Sequence, residues 1–319
     1  MSPLASLLRL RVNQRRRQLL GLSAAAIALS LLGLALSWMS PAIGAPLRAG
    51  LDFTGGTQIQ IERRCQGACE PLATSDLQRR LAALELPVAA GEQPARLGGS
   101  AVQLLDGGRQ VVLRMPTLTA DQSRAVIEAL APDLGGIEPG GLGIDTIGPS
   151  LGAQLLRASL VSLGVSFIGI AAYITLRYDR LFATLALLCL GHDVLITCGV
   201  FAWLGLLAGV EVNSLFAVAL LTLAGYSVND TVVVFDRIRE KRQQLQGVSL
   251  AEQADAAVSA TLTRSLFTSF TTLLPLLALI LFGGTTLFWF AVALSIGVLV
   301  GAWSSIAVAP TLLPVLSRR

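Results

Sequence analysis

The sequence predicts an α-helical integral membrane protein: six transmembrane helices, with one polar α+β domain between the first and the second. Three observations lead there. Hydrophobic residues make up 53% of the 319 positions and charged residues only 14%, against about 25% charged in soluble domains. Six apolar stretches are each long enough to cross a hydrocarbon core of about 30 Å. The polar residues gather in one block, from residue 40 to residue 150, whose alternation and capping signals read as strands and helices.

Taken in order, RLRVNQRRR at 9 to 17 precedes an apolar stretch from Leu19 to Met39. With AIGA at 42 to 45 the layout imitates a secretory signal and its cleavage site. The apolar core, at roughly 20 residues, is longer than the 7 to 15 of such a signal, so a retained first helix over residues 19–39 is expected. Its positive flank places residues 1–18 in the cytoplasm.

Residues 40–150 then lie outside. TQIQIE at 57 to 62 alternates as a strand. TSDLQRRLAALE at 74 to 85 reads as a helix with a Thr or Ser cap and with Leu77, Leu81 and Leu84 on one face. VQLL at 102 to 105 and QVVLRM at 110 to 115 flank the DGG turn as a hairpin. TADQSRAVIEALAPDL at 119 to 134 is a second capped helix, and GIDTIG at 143 to 148 a closing strand. The order β, α, hairpin, α, β suggests a sheet with helices on one face, ferredoxin-like. Cys65 and Cys69 stand close together here, either as a disulfide in an oxidising compartment or as two free thiols. No metal, nucleophile or phosphate-loop pattern is present in the domain, which points to contact with a partner or a passing chain.

Five further spans, near 154 to 176, 181 to 204, 213 to 235, 262 to 282 and 287 to 312, make up residues 151–319. Arg177 and Arg180, the run 237 to 242, and Arg318 with Arg319 fall at alternate connections, while 205 to 211 and 282 to 286 carry no Lys or Arg. Both termini are therefore expected in the cytoplasm. The net charge of +4 sits in these clusters, without interleaved aromatics, so the lipid membrane rather than nucleic acid is the expected surface partner. No cofactor or metal is expected, and the four cysteines form no metal pattern.

The candidate site lies in the spans. Asp230, beside Asn229 in the fourth, precedes the charged run by about one and a half turns, so at about 1.5 Å per residue it sits on the order of 9 Å inside the membrane. A carboxylate there costs roughly 2.5 to 3.5 kcal/mol and marks a functional position. Thr261, Arg264, Ser265, Thr268 and Thr272 recur at helical spacing in the fifth span, so Arg264 is expected to face Asp230 as a buried cation. Two readings stand: a structural ion pair that clamps two helices, or a proton relay in which protonation releases Asp230 from Arg264. His192 and Asp193, mid-way along the third span, offer a second and deeper proton site; the alternative for His192 is a neutral imidazole bonded to a neighbouring helix. Gly297, Gly301 and Ser305 in the sixth span read as a packing seam.

GLDFTGG (50–56), IGPSLG (147–152), the His192-Asp193 pair, GYSVNDTVVVFDRIRE (225–240) and TLTRSLFTS (261–269) together resemble the SecD/SecF family of protein-export membrane subunits, in the resistance-nodulation-division superfamily. The resemblance implies a SecF-type six-helix half that pairs with SecD, attaches to the SecYEG translocon and uses proton flow to drive late export of unfolded polypeptides. Such a subunit is not an enzyme, and it resides in a bacterial-type cytoplasmic (inner) membrane. Carried over, Asp230, Arg264 and Asp193 form the proton path, with Asn229, Thr268 and His192 as supporting polar groups. Asp52, Gly55 and Gly56 are the motif entering the outside domain, structural or interfacial in role. Gly191 stands where the family pattern has alanine. The alternative reading, a superfamily exporter of small molecules or lipids, calls for a substrate cleft and a larger outside domain.

Overall fold

The protein is described here by a computed structural model covering residues 11–65, 69–87 and 97–317; Arg9, Arg318 and Arg319 lie outside the described residues. In chain order the elements are α1 (Arg16–Met39), β1 (Gly56–Arg63), α2 (Thr74–Ala83), β2 (Ala101–Leu105), β3 (Gln110–Met115), α3 (Ala120–Leu134), β4 (Ile137–Ile147), α4 (Pro149–Arg177), α5 (Arg180–Ala208), α6 (Ser214–Gln244), α7 (Leu250–Phe282), α8 (Gly284–Trp303) and α9 (Ala309–Leu316). A π-helical turn, Ser304–Val308, joins α8 to α9. Among the described residues six stretches are helical, apolar and long enough to cross a membrane, the last running from Thr286 to Leu316. The chain divides into two compact units, residues 50–158 and residues 1–49 with 159–319.

The polar unit is an antiparallel sheet of order β2-β3-β1-β4. Alternation in β1 turns Ile59 and Ile61 to the helix-covered face. There, with Val111, Leu113, Leu77, Leu81, Val126 and Leu130, they form a buried core. Thr119 caps α3 in a capping box with Gln122, as S/T-x-x-Q patterning favours. At α2 the expected Thr or Ser cap is absent: the N-cap is Ala73 and makes no side-chain bond. The closing strand is longer than residues 143 to 148, because Arg63 pairs back to Ile137 across a bulge. Cys65 and Cys69 are joined by a disulfide, their Cα atoms 5.1 Å apart.

Buried Arg63 ties this unit together. Its Nε donates to Leu134 O at 3.0 Å, and its Nη1 to Glu70 O and Gly108 O at 3.0 and 2.9 Å. One guanidinium thereby closes three chain segments, the end of α3 among them. At the entrance, a single helical turn, Leu51–Thr54, carries Asp52 in its first turn and ends at Gly55 (φ 69°) and Gly56 (φ 121°). A Cβ on Gly55 would lie 3.0 Å from Pro149 Cα, and one on Gly152 2.9 Å from Gly55 N. The two motifs GLDFTGG and IGPSLG thus meet backbone to backbone.

In the helical unit, small residues let helices approach closely. Gly199 of α5 lies against Ser30 of α1, and Gly33 against Trp203, whose Nε1 donates to Leu29 O at 3.0 Å. Gly297 and Gly301 of α8 take Leu223 and Ser227 of α6. The unit's two ends are pinned by polar contacts. Asn13 donates its backbone N–H and Nδ2 to Asp255 Oδ1 at one end. At the other, Arg48 and Glu211 pair at 3.5 Å and Val212 N–H donates to Arg48 O.

Candidate functional site

Helical periodicity on α6 buries Ser227, Asp230, Thr231 and Val234 along one stripe. On α5 the buried stripe includes Cys189, His192, Asp193, Ile196 and Thr197. Both carboxylates therefore lie inside the helical unit, with Asp193 at 0% and Asp230 at 6% exposure. Each is surrounded by hydroxyls. Ser227 Oγ and Ser304 Oγ donate to Asp193 Oδ2 at 2.5 and 2.8 Å, and His192 Nδ1 lies 2.8 Å from Asp193 Oδ1. Ser265 Oγ donates to Asp230 Oδ1 at 2.8 Å, and Ser305 Oγ donates to Asp230 Oδ2.

The expected Asp230–Arg264 pair is not formed. Arg264 is exposed and makes no ion pair among the described residues. The inward polar stripe of α7 is Thr261, Ser265 and Ser269: Thr261 and Ser265 of the expected face do point inward, whereas Arg264, one position before Ser265, does not. Successive helix positions are about 100° apart, so that step turns the guanidinium out of the bundle. Among the described residues the buried basic side chain outside the histidine is Arg63, not Arg264. Thr268 does not reach Asp230 either; its hydroxyl donates to Arg264 O within its own helix. Asn229 is exposed on the side of α6 away from its neighbour Asp230. The alternative for His192 also changes, since its partner is the adjacent aspartate and not another helix. His192 Nε2 and Thr231 Oγ1, each next in sequence to a buried carboxylate, are buried without a hydrogen-bond partner among the described residues.

The residues that complete the site come from the sixth span. Pro310 lacks an N–H, and in a regular helix its ring would crowd the carbonyl of Ile306, four residues back. The helix opens there into the π-turn, in which Ala309 N–H bonds to Ser304 O, five residues back. Thr311 Oγ1 donates to Ala307 O and Val308 O at 2.6 and 3.0 Å, satisfying carbonyls of the turn. Ser304 and Ser305, both fully buried, can then face the two carboxylates at once. Ser305 is more than the packing seam expected of it. The only sequence signal for this turn is a proline placed shortly after paired serines in an apolar span.

Hydroxyls suit an acid that changes its charge. A serine donates to a carboxylate and, by rotating, accepts from the protonated acid. The site can thus hold either form without breaking an ion pair.

Two family models match: "Protein export membrane protein SecD/SecF, C-terminal" over residues 136–319, more than half of the chain, and "SecD/SecF GG Motif" over residues 43–66. The second contains the Gly55-Gly56 turn. The protein translocase subunit SecF of Prochlorococcus marinus is 52% identical over 302 residues, 95% of this chain and 94% of that one. That of Synechocystis is 42% identical over 286 residues, 90% of this chain and 87% of its own. The crystal structure of SecDF, a translocon-associated membrane protein from Thermus thermophilus, superposes with a TM-score of 0.76 at 28% identity. It covers 94% of this chain, which spans 38% of the SecDF chain. With six apolar helices and these relatives, the chain is a multi-pass membrane protein and belongs to the SecD/SecF family.

Proposed function

We propose that the chain is a SecF-type, proton-coupled accessory subunit of Sec protein translocation, acting with SecD beside SecYEG in late export of unfolded polypeptides. The observation that carries this reading is Asp230, a buried carboxylate in a membrane span, held by hydroxyls from two other spans. Proton uptake there changes what three helices hold in common. Each proton crossing under about 100 mV delivers roughly 2.3 kcal/mol, enough to bias a two-state element more than tenfold. Asp193 is the second station. The unpartnered Nε2 of His192 and Oγ1 of Thr231 favour a hydrated path between them, where water meets such atoms.

Arg264 and Asn229 support a partner. Both are exposed on membrane-spanning helices, where a charge or amide is costly in lipid. A SecD half laid against α6 and α7 would cover them and bring Arg264 into the proton path. The polar unit, with its βαββαβ order, is read as ferredoxin-like and extracytoplasmic, and the Cys65–Cys69 disulfide suits an oxidising compartment. Both termini then lie in the cytoplasm, the membrane being a bacterial-type inner membrane.

The test is Asp230→Asn in an export assay, with the proton gradient on and off. Proton-dependent export should be lost while SecD and SecYEG still co-purify. Export that remains gradient-dependent would rule out the proton role, and drug efflux in place of export would point to the small-molecule reading.

A further inference from the structure

The paired serines of the sixth span do something neither carboxylate does alone. Ser304 donates to Asp193 and Ser305 to Asp230, so the two acids, on α5 and α6, are bonded one each to two consecutive residues of one turn. The turn is buried: Ser304, Ser305, Ala307, Val308 and Ala309 are all below 6% exposure. Interiors this close-packed shift as units rather than atom by atom.

The geometry points to Ser304 and Ser305 as positioning residues that couple Asp193 to Asp230, with the Pro310-opened π-turn as the mechanical link between them. This rests on the proton reading for its purpose, though not for its test. In a regular helix the two serines would diverge by about 100°. The π-turn has more residues per turn, so neighbouring side chains are closer in direction. Hydrogen bonds to a charged acceptor are roughly twice as strong as neutral ones. When Asp230 is neutral, Ser305 is held less firmly, and Ser304, one residue away, shifts against Asp193. The link is local. Of the titratable groups on the neighbouring helices, α5 offers His192 and Asp193, already part of the site, and the buried Cys189, whose Sγ donates to Ser304 O at 3.9 Å; α6 offers Asp230 and Tyr226, and α7 the outward Arg264. The α8-to-α9 span carries no titratable residue, so its influence on both acids runs through hydrogen bonds.

Difference infrared spectroscopy reads this directly in the full chain with its SecD partner, in liposomes. The Asp193 carboxyl band, identified by its loss in Asp193→Asn, is recorded with Asp230 and with Asp230→Asn. The substitution should shift the band. In a Ser305→Ala background the shift should vanish, and in Ser305→Thr, which restores the hydroxyl, it should return. Pro310→Ala should reduce the shift as Ser305→Ala does. A shift of equal size in Ser305→Ala would mean that the acids sense each other through space, and the proposal would fall; so would the lack of any shift in the native turn. Export is a separate readout. If Asp230→Asn leaves gradient-driven export unchanged while the hydroxyl-dependent shift persists, the proton function fails and the coupling stands.

Discussion

Gly56 has a φ of 121°, and a Cβ placed on it would lie 2.6 Å from Met115 O. Backbone there cannot give way as a flexible side chain would. Gly56→Ala is expected to lower the stability of the full chain in detergent by about 1–3 kcal/mol, read as a shift of the thermal unfolding transition; an unchanged transition would mean that the turn is not under this constraint. The Gly55-Gly56 pair was legible in the sequence as a motif, but the reason for it was not, because its partner Pro149 is far along the chain. The site shows the same limit. Asp230 and Asp193 could be picked out from sequence, since an acid among apolar residues stands out against the cost of burial. Ser265, Ser304 and Ser305 could not be assigned to them, because a serine in a span most often bonds its own helix or a neighbour's surface.

Element geometry decides which side chains meet. The paired faces of α1 and α5 depend on Gly199, whose added Cβ would sit 2.2 Å from Ser30 Cβ. Gly199→Leu is therefore expected to cost about 1–3 kcal/mol by overpacking, seen as a smaller protease-resistant fraction in detergent, whereas Gly191→Ala, with open space around its Cβ, should have no such effect. On α7 a single position separates success from failure. Ser265 reaches Asp230, and Arg264 beside it does not. By spacing, Arg264 and Ser265 fall on one polar face of that helix, and spacing alone does not choose which of the two reaches Asp230. Only contacts with α6 and α8 do. The sixth span adds a different lesson: its hydrophobic pattern announces one helix, yet Pro310 interrupts it with a π-turn and so changes which serines face inward.

For the whole molecule, the outward faces of α6 and α7 are unfinished in a single chain. Leu266, Phe267, Phe270, Leu274 and Leu277 are exposed along α7 together with Arg264, and an arginine in lipid costs roughly 2.5–3.5 kcal/mol on insertion scales. If SecD covers this face, Arg264→Leu should improve recovery of the chain expressed alone yet lose gradient-driven export in the complex; quantitative recovery and the export assay measure the two effects. Equal recovery of both forms would argue that Arg264 already reaches the membrane surface. The sequence by itself determined the membrane class, the six spans, the polar domain's strands and helices, and the family, because those follow from local composition, periodicity and motifs. The tertiary structure alone decided that Asp230 is held by serines and not by Arg264, and that one π-turn touches both acids. Those outcomes depend on the rotation of each helix about its axis, which long-range packing sets and no local pattern encodes.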